Sequence, residues 1–273
     1  MSCYSYQTMH FKHGALDVDA VYVLTMENSS RIDKLKSQIY RHKPGANIII
    51  QINKGFRACR KRLCGNSKTD IDISVEDISH AYLNAFQHAL DNGYKNVLIL
   101  EDDAVFSDLY FTSENIDVVN DFIPKLQKNG FVLALGILPW ASLYHSNGIR
   151  RSLLSSGTHA TIFPERVMEE ILLDCNSIHD IDYYINFHCT RYFHSLPLVS
   201  QTFAATENRA NWGDNFGIFG AIARYFIGIV IWCFGLEDNV EPGTTIIYTI
   251  NKIVFDLGIP LLIIGLLYLN MPK

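Results

Sequence analysis

A short apolar run that ends in three carboxylates constrains the fold of this chain more than any other stretch. Residues 97–100 (VLIL) are all apolar and are followed at once by Glu101, Asp102 and Asp103. Such a run predicts a strand that is buried on both faces of a sheet. Because burying three adjacent carboxylates without a compensating charge is very costly, they should lie at the strand's carboxyl end, near solvent or a cation.

Carboxylates at the end of a buried strand are candidates for a metal site. In open α/β sheets, ligands bind at the carboxyl ends of the strands. Asp102 and Asp103 offer the hard oxygen ligands that Mg²⁺ or Mn²⁺ prefers, and the phosphates of a nucleotide can complete the coordination shell. A solvated acidic turn is the alternative, and these residues alone leave it open.

Strand and helix patterns alternate along the chain. Residues 20–25 and 47–52 are rich in β-branched and aromatic residues and predict strands, and apolar residues at helical spacing between them predict a helix. Further helices are predicted at 74–90, 111–127, 164–172 and 183–187, and further strands at 131–138 and 160–163. Strand, helix, strand in this order predicts parallel βαβ units and therefore an α/β domain.

Three segments show no clear period, and we expect irregular structure in them. Residues 1–19 are a lead-in, and residues 140–151 are a loop suited to cover a site. Residues 53–72 contain a basic run, Arg57, Arg60, Lys61 and Arg62. This run is either a solvated loop or a loop that folds over a diphosphate.

Composition narrows the possible partners and compartments. The net charge is −5 and no basic face is evident, so we expect no nucleic acid partner. The six cysteines show neither a C-x-x-C pair nor zinc-like spacing, which favours a reduced, intracellular compartment over a disulfide framework. The first residues contain no apolar run that would indicate a secretory signal.

The C-terminal part of the chain is more apolar than the rest. Residues 216–236 carry one charge, Arg224, and about 20 apolar residues are enough to span a bilayer core. Residues 246–269 form a second apolar segment with a few polar interruptions. We expect the tail to associate with a membrane, and the positive-inside rule then places the catalytic domain in the cytosol. The alternative is a pair of amphipathic helices that cap the domain.

An ordered set of motifs resembles the family-25 glycosyltransferases, which include lipooligosaccharide and collagen galactosyltransferases. The motifs are YVLTMENSSRIDKL, Ser79-His80 ahead of LEDDAVF, GTHATIFP and IDYYI. They cover about residues 20–205. The resemblance implies a type A glycosyltransferase fold, a Rossmann-like and mostly parallel mixed sheet flanked by helices, here with a hydrophobic helical tail. We therefore expect a lead-in (1–19), a glycosyltransferase domain (20–210) and a membrane-associated tail (211–273).

The resemblance also implies roles for individual residues. The donor would be bound by Leu24, Thr25, Arg31, His80 and Glu101, and the metal, Mn²⁺ or Mg²⁺, by Asp102 and Asp103. Gly157 and His159 would lie on the acceptor side, and Asp182, with Asp180 beside it, would be the catalytic base. The structural alternatives are helix capping for the two later aspartates and a half-buried helix histidine for His80.

The implied activity is metal-dependent, inverting transfer of a sugar such as galactose. The donor would be a nucleotide sugar, a UDP-sugar by resemblance, and the acceptor a hydroxyl of a glycan, a lipid-linked sugar or a protein. One alternative is a nucleotidyltransferase, against which the absence of glycine from MENSS after the first strand argues. The other is a catalytically degenerate, membrane-tethered binding or scaffold protein.

Overall fold

A nine-stranded mixed sheet with helices on both faces organises the part of the chain that the computed structural model describes, residues 2–65, 69–203, 217–237 and 239–269. The predicted α/β class, with an apolar helical tail, is confirmed. The predicted domain boundary at residue 210 and the start of the first apolar segment at residue 216 lie outside the described residues.

The elements follow one another in a mostly alternating order. The strands are β1 (Tyr4–His10), β2 (Ala20–Met26), β3 (Asn47–Asn53), β4 (Asn96–Glu101), β5 (Ala104–Phe106), β6 (Phe131–Ala134), β7 (Leu138–Ser146), β8 (Ile149–Ser156), β9 (Ala160–Pro164), β10 (Thr190–His194) and β11 (Val199–Gln201). The helices are α1 (Ile32–His42), α2 (Ser74–Asp91), α3 (Ser113–Asn129), α4 (Glu165–Leu173), α5 (Ile181–His188), α6 (Gly217–Cys233), α7 (Gly243–Ile253) and α8 (Ile259–Leu269). A 3₁₀ turn (Cys175–Ser177) follows α4, and a π-helical turn (Val254–Gly258) joins α7 to α8.

The large sheet has the order β1-β3-β2-β4-β9-β6-β10-β8-β7, and β5 pairs with β11 in a second, small sheet. The predicted βαβ unit is present, since β2 lies between β3 and β4 and is parallel to both. In this register Leu24 lies opposite Glu101, so β2 and β4 end at the same edge of the sheet.

Strand β4 is buried on both faces, as its apolar run predicts. Leu98 and Leu100 belong to the core on one side of the sheet, whereas Val97 and Ile99 belong to the core on the other side. The alternation follows from the two-residue period of a strand. Because the strand interior is apolar on both faces, the carboxylates that follow are confined to its end.

Two segments that were expected to be irregular form strands. In the predicted lead-in, β1 pairs antiparallel with the edge of β3, where Tyr4 lies opposite Asn53. The predicted loop at 140–151 is an antiparallel hairpin of β7 and β8, whose irregular register hides the alternation of a regular strand. The predicted strand at 131–138 is also interrupted, because β6 ends at Ala134 and β7 begins only at Leu138. Between them the backbone at Gly136 passes so close to Val199 that a Cβ would lie 1.5 Å from the Val199 carbonyl oxygen.

Four of the six cysteines are paired, which corrects the expectation of reduced thiols. Cys3 bonds to Cys59 and Cys64 bonds to Cys175, while Cys189 and Cys233 are free. The partners are 56 and 111 residues apart, so local spacing could not reveal them. Disulfides persist in oxidising compartments, and the predicted cytosolic placement of the domain stays a prediction.

The tail contains one helix that is long and apolar enough to cross a membrane, by length and composition, among the described residues. It spans Gly243–Ile263, within the continuous helix made by α7, the π-helical turn and α8. Helix α6 has 17 residues, fewer than the roughly 20 that a bilayer core requires. Among the described residues, the candidate span therefore lies in the second apolar segment.

Candidate active site

Six of the residues predicted to bind the donor or metal line one large cavity at the sheet edge where β2 and β4 end. They are Leu24, Thr25, Arg31, Glu101, Asp102 and Asp103. The cavity has a volume of about 360 Å³. Its other walls come from the start of the loop after β3, residues 54–58, from α2, and from Gln201 and Phe203. The topology therefore brings these motif residues together.

Asp102 is held on both carboxylate oxygens. Arg31 Nη2 lies 2.7 Å from its Oδ1, and the Thr25 hydroxyl donates a hydrogen bond of 2.8 Å to its Oδ2. The carboxylate is almost fully buried, whereas the Arg31 side chain remains about one-third exposed. Asp102 therefore anchors a guanidinium at the wall of the cavity.

Asp103 has one oxygen that lacks a partner. Gln201 Nε2 donates a hydrogen bond of 3.0 Å to Oδ2, and Arg31 Nη1 lies 3.8 Å from the same oxygen. Oδ1 is buried and has no hydrogen-bond partner among the described residues. Burial raises the pKa of Asp103 to about 6. A buried, unpartnered carboxylate oxygen beside a cavity is an arrangement that a cation would satisfy.

Glu101 is the most strongly perturbed of the three acids. Its Oε1 accepts hydrogen bonds from the Tyr82 hydroxyl at 2.8 Å and the Thr158 hydroxyl at 3.2 Å. Burial, with the nearby Asp103 carboxylate, raises the pKa of Glu101 to about 8. A carboxyl with this pKa is mostly protonated at neutral pH, so the ionised form of Glu101 is disfavoured unless a positive charge binds nearby.

The fit of a divalent ion can be judged from these oxygens. No cluster of three or more His, Cys, Asp or Glu side chains arranged for a metal ion occurs among the residues that the structure describes. Mg²⁺ in nucleotide sites, however, is commonly held by one or two carboxylates together with substrate phosphates. The free oxygen of Asp103 fits this pattern. Asp102, by contrast, would have to exchange its contact with Arg31 for the ion.

A smaller cavity of about 120 Å³ adjoins the large one. Gly157, Asp180 and Asp182 line it. Their predicted roles, on the acceptor side and as the catalytic base, stay predictions. Glu101 and Gln201 line both cavities. A ligand in the large cavity and a ligand in the small one would therefore meet beside these two residues.

The Asp182 carboxylate is fixed in place at the small cavity. Its Oδ2 accepts the Gly157 N–H at 2.8 Å, and its Oδ1 lies 3.2 Å from Asn186 Nδ2 and 3.4 Å from Arg191 Nη1. Burial raises the pKa of Asp182, and the Arg191 guanidinium opposes that shift. Arg191 also donates to the Gly157 carbonyl, so one buried cation orients both the carboxylate and the turn.

Comparison with known proteins gives distant structural matches only. No protein-family model and no curated protein sequence matches the chain. A mannose-1-phosphate geranyltransferase from Thermus thermophilus aligns with a TM-score of 0.38 and 10% identity, over 72% of this chain and 79% of its own. A glycosyltransferase involved in glycosylation of the major capsid of PBCV-1 aligns with a TM-score of 0.35 and 8% identity, over 69% of this chain and 95% of its own. The resemblance to family 25 stays a prediction.

Asp180 caps the N-terminus of helix α5. Its Oδ1 accepts the N–H groups of Asp182 at 2.9 Å and Tyr183 at 3.4 Å, which makes it the N-cap of α5. Burial, with the Asp182 charge, raises the pKa of Asp180 to about 6. It lines the small cavity while it caps the helix, so helix capping and a contribution to the site coexist.

The two predicted site histidines lie outside both cavities. His80 Nδ1 is 2.6 Å from the Tyr4 hydroxyl, and His159 Nε2 is 3.2 Å from the Val199 carbonyl oxygen. Burial lowers the pKa of each to about 4, so both are neutral at physiological pH. Both are packed side chains in this structure, and their predicted roles in donor and acceptor binding stay predictions.

Sequence reasoning missed three side chains that shape the site. Tyr82 and Thr158 hold Glu101, and Arg191 holds Asp182. Tyr82 lies within the helix predicted at 74–90, and no motif marks it as part of a site. No local motif marks Arg191, because its charge is buried by strands that approach from distant parts of the chain.

Proposed function

We propose that this protein is a glycosyltransferase that uses a nucleotide-sugar donor. The observation that carries the proposal is the pair of adjoining cavities. One presents Arg31 and the carboxylates of Asp102 and Asp103, and the other presents the oriented carboxylate of Asp182. A two-substrate transfer needs such a division, because the donor phosphate and the acceptor hydroxyl require opposite kinds of groups.

The large cavity is suited to a diphosphate. Arg31 offers a planar donor fork that can pair with phosphate oxygens in place of Asp102. Lys54 and Arg57 also line this cavity, so part of the basic loop does lie at the site. Asp103, with Asp102 beside it, would hold Mn²⁺ or Mg²⁺, which would neutralise charge on the departing diphosphate.

The small cavity is suited to the acceptor hydroxyl. In the proposed step, the acceptor oxygen forms a bond to the anomeric carbon as the bond from that carbon to the phosphate oxygen breaks. The leaving diphosphate takes the bonding electron pair, and the hydroxyl proton passes to the Asp182 carboxylate. A base with a raised pKa is better matched to this task at neutral pH. One base is enough for an inverting reaction.

Our proposal for the individual substrates rests on the resemblance to family 25 and on the apolar C-terminal helices. We propose a UDP-sugar donor, with galactose as the transferred sugar, and an acceptor hydroxyl on a glycan, a lipid-linked sugar or a protein. The continuous apolar helix from Gly243 supports placement at a membrane. The two disulfides favour an oxidising side of that membrane over the cytosol.

Replacing the proposed base tests the function. Asp182→Asn should lower turnover by a factor of about 10² to 10⁴, the usual contribution of a general base. Donor-induced thermal stabilisation should persist, because Asp182 lines only the small cavity. Asp174→Asn is the matched control, since this carboxylate lies at the end of α4 and accepts hydrogen bonds from the Ser177 and Tyr184 hydroxyls outside both cavities. Unchanged turnover of Asp182→Asn would remove the base assignment.

A further inference from the structure

Helix α6 forms one wall of the small cavity. Gly220, Arg224 and Ile227 line the cavity and recur at a spacing of four and three residues, which places them on one helical face. One turn further on, Ile231 is buried against Leu138 in the core. The apolar tail is therefore a structural part of the candidate site and not only an appendage.

The opposite face of α6 is apolar and exposed. Six large apolar side chains there have 41% to 78% of their surface exposed: Ile218, Ile222, Tyr225, Phe226, Ile229 and Trp232. Soluble proteins rarely leave so many large apolar side chains together in water. Tyrosine and tryptophan on such a face are typical of helices that lie at a membrane interface.

The neighbouring helix continues this apolar face. Leu236, three residues beyond the end of α6, packs with Ile247 of α7 in one buried cluster, and Ile250 and Ile253 of α7 are exposed. Two polar residues of this segment contact the domain. Asn251 is buried against the Ser142 hydroxyl, and Asp256 forms a two-pronged ion pair with Arg150 at 2.7 Å. The polar groups are thus satisfied internally, which leaves a largely apolar outer surface for lipid.

We infer that the acceptor is a membrane-borne amphiphile: a hydroxylated head group enters the small cavity beneath α6 while its long hydrocarbon chain stays in the lipid at the outer face of that helix. The inference rests on the proposed function and names its acceptor class. An α-helix is about 10 Å across, so the head group would have to pass only one helix to reach Asp182. A soluble acceptor would gain nothing from an apolar cover over its cavity.

The test compares acceptors that differ only in chain length. The purified full-length protein in phosphatidylcholine vesicles is given the donor that it hydrolyses and methyl, octyl and dodecyl glycosides of galactose, glucose, mannose and N-acetylglucosamine. Transfer to one dodecyl glycoside should exceed transfer to its methyl counterpart by about tenfold or more, because partitioning concentrates the long chain at the membrane. Equal rates, or no transfer to any long-chain glycoside, would overturn the inference.

Two variants distinguish an effect specific to α6 from the effect of adding a charge anywhere on the surface. Ile222→Asp puts a charge on the outer face of α6, and Leu173→Asp puts one on an exposed leucine of α4. Only Ile222→Asp should lower transfer to the dodecyl glycoside. Release of nucleotide by water is measured in parallel. If no donor releases nucleotide in water, the proposed function itself is contradicted. If nucleotide is released but both variants affect transfer equally, only the acceptor class is overturned.

Discussion

Replacing Asp103 with asparagine should make the ligand-free protein more stable and, at the same time, abolish its response to metal and donor. The carboxylate is buried, one of its oxygens has no partner among the described residues, and its ionised form is disfavoured. The amide is almost the same size and keeps an oxygen that can accept from Gln201. The substitution therefore removes the charge with little change in packing.

The size of the effect follows from the pKa of Asp103. A carboxyl whose pKa rises from 3.8 to about 6 on folding costs up to about 3 kcal/mol of stability above pH 6. This cost is fully present at pH values above the folded-state pKa. It shrinks as the pH falls from the folded-state pKa to the unfolded-state pKa, and it is absent below the unfolded-state pKa. Asp103→Asn should therefore raise the free energy of unfolding by up to about 3 kcal/mol at pH 7.5, and by less at pH 5.

Urea unfolding without metal or donor, followed at both pH values, measures this difference. With Mn²⁺ and donor at about 100 times the dissociation constant, the wild-type protein should gain about 2.7 kcal/mol, and the variant should gain little. Asp102→Asn is the matched control. It breaks the ion pair with Arg31 and should show no stabilisation at either pH. A variant at position 103 that is no more stable than the wild type, or that still responds to Mn²⁺ and donor, would refute the reasoning.

Two further predictions concern stability. Arg191→Met should lower the free energy of unfolding by about 3–5 kcal/mol in urea titration, because it leaves the Asp182 carboxylate without its buried cation; a loss below about 1 kcal/mol would show that the pair contributes little to folding. Alkylation of the denatured, unreduced protein should label Cys189 and Cys233 alone, as read by mass spectrometry of peptides. Reducing the bond between Cys3 and Cys59, which are 56 residues apart, should lower the free energy of unfolding by about 4 kcal/mol. Labelling of all six cysteines before reduction would show that neither bond forms.

The central part of the fold was predictable because each element there has a single clear period. The run that became β4 is apolar throughout, and α1 has a regular apolar face between two β-branched strands. The edge strand β1 was missed because most of it is exposed and its pairing with β3 is decided by distant residues. The hairpin of β7 and β8 carried a usable signal, Asn147-Gly148, which is typical of hairpin turns, but irregular register obscured the flanking alternation.

The candidate site was predictable where its side chains come directly after a strand in the sequence. Asp102 and Asp103 line a cavity at the edge where β4 ends, as expected for acids that follow a strand buried on both faces. The partners of the acids were not predictable, because Tyr82 and Arg191 reach them only through tertiary packing. Motif position alone suggested His80 and His159, and their packing against Tyr4 and the Val199 carbonyl depends on tertiary structure; their predicted roles stay predictions.

Release of nucleotide from a panel of nucleotide sugars, with Mn²⁺ and with a chelator, tests the central claim most directly. It requires no knowledge of the acceptor, because water can take the place of the acceptor hydroxyl in the small cavity. We expect metal-dependent release from one donor, and loss of that release in Asp103→Asn. No release from any donor, together with no donor-induced stabilisation, would contradict the glycosyltransferase assignment and favour a binding or scaffold protein at the membrane.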